Sequence, residues 1–112
     1  MNQKIREVVE FESHFSAFLK DQPIKIQNKI FKIIEAIETL ERVPSNYLKM
    51  LTGTKGLYEA RVKLGSDSWR VFCFFDQDKL VILLNAFAKK TQKTPKKEIE
   101  KALRLMRKYY AQ

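Results

Sequence analysis

Between residues 57 and 98 the chain carries basic side chains in a pattern that could hold phosphates. In "LYEARVKL" (57–64), Glu59, Arg61 and Lys63 alternate with Tyr58, Ala60, Val62 and Leu64. On a strand that alternation sends the charges to one face and the apolar residues to the other. Arg70 follows Trp69 in "WRVFCFF", and five of the nine positions from Lys89 to Lys97 are Lys. Arginine stays protonated, so Arg61 and Arg70 suit charge stabilisation on a phosphate. Lysine crowded by other cations loses its proton more readily, which makes Lys63, Lys89 and Lys90 candidates for proton transfer or anion binding. Lys93 adds a further cation to the same loop. Glu59 either moves a proton or pairs with a neighbouring cation and orders the site. Trp69 either stacks on an unpaired base or packs in the core, and Tyr109 and Tyr110 carry the same two readings. Such a set could cleave RNA by orienting its own 2′-hydroxyl and stabilising charge on the phosphate.

Other chemistries find no support. His14 is the single histidine, so a two-histidine ribonuclease site cannot form within one chain. There is no Cys/His cluster for zinc, no acidic constellation for two metals and no phosphate-cradling Gly loop, so neither metal nor cofactor is expected. Cys73, the only cysteine, lies among apolar residues and reads as a small buried hydrophobe. The net charge of +9 is lopsided: residues 1–54 carry 8 Lys+Arg against 7 Asp+Glu, and residues 55–112 carry 14 against 6. A field of that shape favours phosphate-rich or acidic partners. No apolar run approaches the roughly 20 residues that span a bilayer. "MNQKIREVVEF" lacks the pattern of a secretory signal, so a cytoplasmic protein with no membrane partner is expected.

The elements that must position these residues can be read in order. The 112 residues suit a single domain, 1–112. "KIREVVEF" (4–11) reads as a first strand, and Ser13 or an earlier acidic residue could cap a short helix over "HFSAFLK". Ile26, Ile30, Ile33, Ile34, Ile37 and Leu40 form an apolar stripe at helical spacing, ending before Pro44. "PSNYLKMLTGTKG" reads as a connection. Three strands follow, over 57–64, 69–75 and 80–87, linked by "GSDS" and "DQDK" into an antiparallel meander. Thr94 as cap and Pro95 as first helical residue open a last helix, whose core stripe is Ile99, Ala102, Leu103 and Met106. The result is a small α+β domain with helices packed on a sheet.

The links also imply a register. With Leu64 opposite Trp69 and Phe75 opposite Leu80, Lys63, Arg70 and Asn85 form one row, near where Lys89 and Lys90 emerge. Like charges side by side destabilise a sheet, so this row predicts an anion resting against it.

"GLYEARVKLGSDSWRVFCFF" followed by "LLNAFAKKTQKTPKKEIEKALRLMRKYY" resembles the HigB-like, phage-derived branch of the RelE/ParE toxin superfamily. The resemblance spans essentially the whole chain, and "LYEAR", "WRVF" and "FAKKTQKTP" are its most specific pieces. It implies a RelE-like fold: an N-terminal strand and helical hairpin packed on an antiparallel meander, with a C-terminal helix. It further implies the toxin of a type II toxin–antitoxin pair, a metal-independent endoribonuclease that cuts mRNA at the ribosome and leaves a 2′,3′-cyclic phosphate. By motif position Arg61, Arg70 and Lys90 match the family's catalytic basic residues, and Lys63 and Lys89 flank them as RNA contacts. A helix-turn-helix, HigA-like antitoxin is the implied partner. Two other activities stay open: gyrase inhibition in the manner of ParE, and a catalytically silent basic module that binds RNA or a partner. The His or Tyr that some relatives place near the C-terminus has no counterpart here, so the resemblance assigns no proton donor.

Overall fold

The structure, a computed structural model, describes residues 3–112. Residues 1 and 2, which the expected domain and the N-terminal pattern include, lie outside the described residues. The elements run β1 (Glu7–Glu10), α1 (His14–Lys20), α2 (Ile24–Thr39), β2 (Leu48–Met50), β3 (Tyr58–Leu64), β4 (Asp67–Gln77), β5 (Leu80–Lys89) and α3 (Lys96–Ala111). The strands form one sheet in the order β1-β5-β4-β3-β2. β1 runs parallel to β5, and every other pairing is antiparallel.

The sheet is covered on both faces. Against one lie α1 and α2, where Phe15, Ile26, Ile30 and Ile37 meet Ala60, Val62, Trp69, Val71 and Val81. Against the other lies α3, where Ala102 and Leu105 meet Phe72, Phe74, Ile82, Leu84 and Phe87. β4 and β5 are therefore apolar nearly throughout, since both of their faces are buried over most of their length. No helix among the described residues is long and apolar enough to cross a membrane.

Several expectations need correction. The link read as a loop contains β2, whose Leu48 is buried while Lys49 and Met50 are exposed. A three-residue strand leaves too short an alternation to stand out from its Pro- and Gly-rich flanks. Ser13 makes no side-chain cap bond. The expected alternative, an earlier acidic residue, takes that place: the Glu10 carboxylate accepts hydrogen bonds from the Ser16 amide at 3.0 Å and from the Ser16 hydroxyl. Thr94 does not cap α3 either; Pro95 holds the capping position, and the Thr94 hydroxyl is used elsewhere.

The register also differs from the expected one. Leu64 pairs with Asp67, so Gly65 and Ser66 alone make the turn, with Gly65 at φ 62°. Gln77 likewise pairs with Leu80, leaving Asp78 and Lys79 as the second turn. In the first turn a left-handed first residue matches the twist of the flanking strands and favours glycine. The second turn has no left-handed residue and is accompanied by a bulge at Phe75/Gln77. Each hairpin is thus tighter by two residues than the four-residue links suggested. In the first hairpin the two-residue offset keeps every side chain on its expected face and changes only its neighbours. In the second, bulges at Phe75/Gln77 and Val71/Cys73 leave Phe75, Phe74 and Cys73 one residue from the expected register, opposite Val81, Ile82 and Leu83.

Candidate functional site

The offset rebuilds the charged face in three adjacent rows. Arg61 lies opposite Arg70, and Arg70 opposite Phe87. One step toward the turn, Lys63 lies opposite Ser68, and Ser68 opposite Lys89. One step the other way, Lys49 lies opposite Glu59, and Glu59 opposite Phe72. The expected row of Lys63, Arg70 and Asn85 is not formed. Its members are spread over neighbouring rows, and the pair of cations placed side by side is Arg61 and Arg70.

Asn85 reaches the α3 face through a bulge. Val71 pairs with Ala86 but Cys73 with Leu83, so Leu84 and Asn85 together face Phe72. The Asn85 amide, 1% exposed, donates to the Glu98 carbonyl at 3.1 Å and the Glu98 carboxylate at 3.0 Å. It fastens the start of α3 to the sheet, immediately after the basic loop.

Glu59 is the hub of the site. It is 2% exposed, and its carboxylate meets Arg61 Nη2 at 3.5 Å and Arg70 Nε at 3.6 Å through the same oxygen. The other oxygen accepts a 2.6 Å hydrogen bond from the Thr94 hydroxyl. The anion expected beside the cations is thus partly supplied from within. One carboxylate between two guanidiniums still leaves an excess of positive charge, increased by Lys63, Lys49 and the following loop.

The guanidiniums are held without being saturated. Both contacts to Glu59 are too long for good hydrogen bonds, and the buried Nε atoms of Arg61 and Arg70 have no hydrogen-bond partner. Arg70 Nη1 donates to the Trp69 carbonyl at 3.1 Å, which fixes the direction of its side chain. Burial pushes the Arg70 guanidinium below its ordinary value and Arg61 adds to that, while Glu59 acts the other way. The direction describes a cation short of compensation, and such a group gains from an arriving phosphate. The Arg70 side chain is only 11% exposed and that of Arg61 32%, so Arg70 sits deeper and Arg61 nearer the mouth.

The loop after β5 closes one side. Lys89 Nζ donates to the Gln92 carbonyl at 2.8 Å, and the Thr91 hydroxyl to the Lys93 carbonyl at 2.7 Å. Together with the Thr94–Glu59 bond, these give the loop a defined course beside the arginines. Lys90 and Lys93 are exposed on it.

Of the residues expected at the site, Glu59, Arg61 and Arg70 converge, with Lys63 and Lys89 in the adjoining row. Trp69 does not join them. It points to the opposite face, 9% exposed, and packs with Val62, Val71 and the α1–α2 core, so it offers no ring for base stacking. Tyr109 also has a packing role: its hydroxyl donates to Asp76 at 2.8 Å, and its ring meets Phe11 and Phe74 edge-on. His14 bonds Glu12 at 2.9 Å.

Thr94 and Lys49 belong to the site without standing out in the sequence. Thr94 resembles a helix cap because Pro95 follows it, and its bond to a residue 35 positions away has no local signal. Lys49 is signalled only by the alternation of Leu48, Lys49 and Met50, which is visible once β2 is recognised. Among the described residues no group of three or more His, Cys, Asp or Glu side chains is placed to hold a metal ion.

Residues 17–107 match the model of the family described as Phage derived protein Gp49-like. No curated protein matches the chain. Among solved structures it is similar to a chain of the archaeal RelE–RelB complex from Pyrococcus horikoshii OT3, with a TM-score of 0.52 and 21% identity. That similarity covers 75% of this chain and 94% of that one, and it bears out the RelE-like α+β fold.

Proposed function

This chain belongs to the phage-derived Gp49-like family, and on that premise we propose that it is the toxin of a type II toxin–antitoxin pair, an endoribonuclease that cuts mRNA at the ribosome. The observation that carries this reading is the pair of facing arginines, each with an unpartnered buried Nε, around one shared carboxylate. Such a cradle suits a phosphodiester whose charge grows during reaction.

In the proposed reaction the RNA O2′ bonds to phosphorus as the P–O5′ bond breaks. The products are a 2′,3′-cyclic phosphate and a 5′-hydroxyl. Arg70, deep and directionally fixed, stabilises charge on the non-bridging oxygens, and Arg61 holds the same phosphate from the mouth. Glu59 orients both guanidiniums; its burial between them and its bond to Thr94 suit that task better than proton abstraction. The O2′ proton passes to solvent, and Lys90, exposed on the adjoining loop, returns one to O5′. Lys63, Lys89 and Lys93 contact neighbouring phosphates. The solved neighbour is one chain of a RelE–RelB complex, which supports a protein partner; we assign that partner to a HigA-like, helix-turn-helix antitoxin. The work takes place in the cytoplasm.

The test is brief induction of wild type and Arg70→Ala in cells with a controllable antitoxin, followed by mapping of RNA 5′ ends. Wild type should cut within translated messages. Arg70→Ala should cut about 10²–10³-fold more slowly, the usual cost of removing one charge-stabilising donor, with ribosome association retained. Equal cutting by both rejects the site. DNA damage with intact mRNA would replace this reading with gyrase inhibition, and salt-sensitive RNA binding without growth arrest with a silent binding module.

A further inference from the structure

A second basic cleft adjoins the site, and its α2 wall is used by none of the roles above. It has a volume of about 440 Å³ and lies between α2, residues 46–47 and β3, with Lys29, Lys32, Asn46, Tyr47, Arg61 and Lys63 along its walls. We propose that this cleft binds the single-stranded RNA that continues from the scissile phosphate, so that the substrate path runs from Arg61 and Lys63 across the sheet edge to α2. The inference rests on the endoribonuclease reading, which supplies the phosphate from which the strand leaves.

Three observations carry it. The cleft meets the catalytic face at the sheet edge: β3 runs on past its pairing with β2, and there Arg61 and Lys63, whose side chains lie on the catalytic face, also line the cleft. Among the described residues Lys29, Lys32 and Lys63 make no ion pair, so their charges are available to a ligand. Glu35 is the one carboxylate on its walls, so the lining is strongly cationic on balance. Cations set one after another along a groove suit a phosphate backbone better than a single small anion.

Tyr47 selects the form of the RNA. It is 36% exposed, and its carbonyl is tied to the Arg61 amide at 2.7 Å, which holds it at the junction of cleft and site. An exposed ring there can stack on an unpaired base, which a duplex does not present. Asn46 beside it adds an amide able to bond a base edge. Residues 29 and 32 lie on the same face of α2, one turn apart, so both ammonium groups can follow one strand.

The test measures binding of fully 2′-O-methylated single-stranded RNA, which has no nucleophile and cannot be cut. Oligonucleotides step from about 4 to 16 nucleotides, the site sizes of small single-strand-binding folds. Wild-type affinity should rise with length. The pair Lys29→Gln/Lys32→Gln should abolish that rise and flatten the salt dependence by about 1.4 in log–log slope, roughly 0.7 for each phosphate left without its ammonium. Tyr47→Ala should weaken the longer oligonucleotides about tenfold, as for loss of one stacked base. Lys101→Gln/Arg104→Gln on α3 removes the same charge elsewhere and should leave the length dependence intact.

Three results would each overturn the proposal: no length dependence in wild type, an unchanged slope in the α2 pair, or equal losses in the α3 control. Stronger competition by an RNA hairpin than by the single strand would also overturn it, in favour of docking to structured RNA. None of these readouts involves cleavage. Binding of the expected form without cut messages would therefore retain the cleft and remove the endoribonuclease assignment.

Discussion

Around Glu59 the two sides of β3 are equally dry and chemically opposite. Ala60 and Val62 face α2 and are 2% and 1% exposed; Glu59, which precedes them, faces the other way and is 2% exposed. On the α1–α2 side, burial removes apolar surface from water and stabilises the fold directly. On the other side it places a carboxylate and two guanidiniums in a medium that penalises charge, with contacts too long to compensate fully. One side is therefore optimised for stability, while the other holds unmet electrostatic demand next to a solvent opening. The neighbouring rows locate that demand: Phe72, Phe74 and Leu84 under α3 form an ordinary core, and the charges begin beside it, with Glu59 opposite Phe72 and Arg70 opposite Phe87.

The largest effect expected from this contrast is on stability, from the α1–α2 side. Trp69→Ala should cost about 3–5 kcal/mol, the usual range for deleting a large buried aromatic. Urea unfolding measures it, and the RNA cutting per folded molecule should remain near wild type. If Trp69→Ala instead keeps stability and loses cutting, the assignment of the two faces is reversed.

Glu59→Gln tests the other side and should cost less stability, about 1–3 kcal/mol. A neutral amide still reaches Thr94 but leaves Arg61 and Arg70 opposite one another without an anion between them. Arg61 is a third exposed, and solvent there screens part of the repulsion. Added phosphate should restore more stability to this variant than to wild type, because a ligand bound only by the folded state stabilises it. No difference in the phosphate response between the two would mean that the arginines do not form an anion site.

The alternation of "LYEARVKL" is enough to put Glu59, Arg61 and Lys63 on one face, and the apolar stripe of α2 is enough to define that helix. Both signals are periodic and local. The pairing of Arg61 with Arg70 depends on two turns, each of which could hold two residues or four, and sequence favours neither strongly. In the first hairpin the difference is even, so the faces are right in either case and only the neighbours change. In the second, two bulges make it odd over Cys73–Phe75, and no local pattern signals them. The bulge that turns Asn85 toward α3 and the bond from Thr94 to Glu59 are tertiary: each joins residues whose meeting depends on the finished sheet. Trp69 is ambiguous in sequence because alternation assigns it a face but does not say whether that face is covered.

Thr94→Val should have a smaller effect than Glu59→Gln, about 1 kcal/mol, typical of one hydrogen bond. The substitution frees the basic loop from Glu59, so cutting should fall while binding of a short RNA is largely kept. Thr94→Ser keeps the hydroxyl and should recover the cutting. If Thr94→Val keeps cutting while Thr94→Ser loses it, the methyl packing matters and the bond to Glu59 does not.

The smallest expected change is a null result at Cys73, which reports on the stable side without disturbing it. Cys73 is fully buried in the α1–α2 core, and burial pushes its thiol up to about 12. At pH 8 it is therefore both protonated and out of reach of a thiol reagent in the folded protein. Its labelling rate then follows transient unfolding, and so differs between variants only where the core is weakened. Trp69→Ala should label much faster than wild type, and Arg70→Ala at the wild-type rate despite its loss of cutting. Equal acceleration in both variants would mean that Arg70 supports the core as Trp69 does, and the separation of a stabilising face from a reactive one would fail.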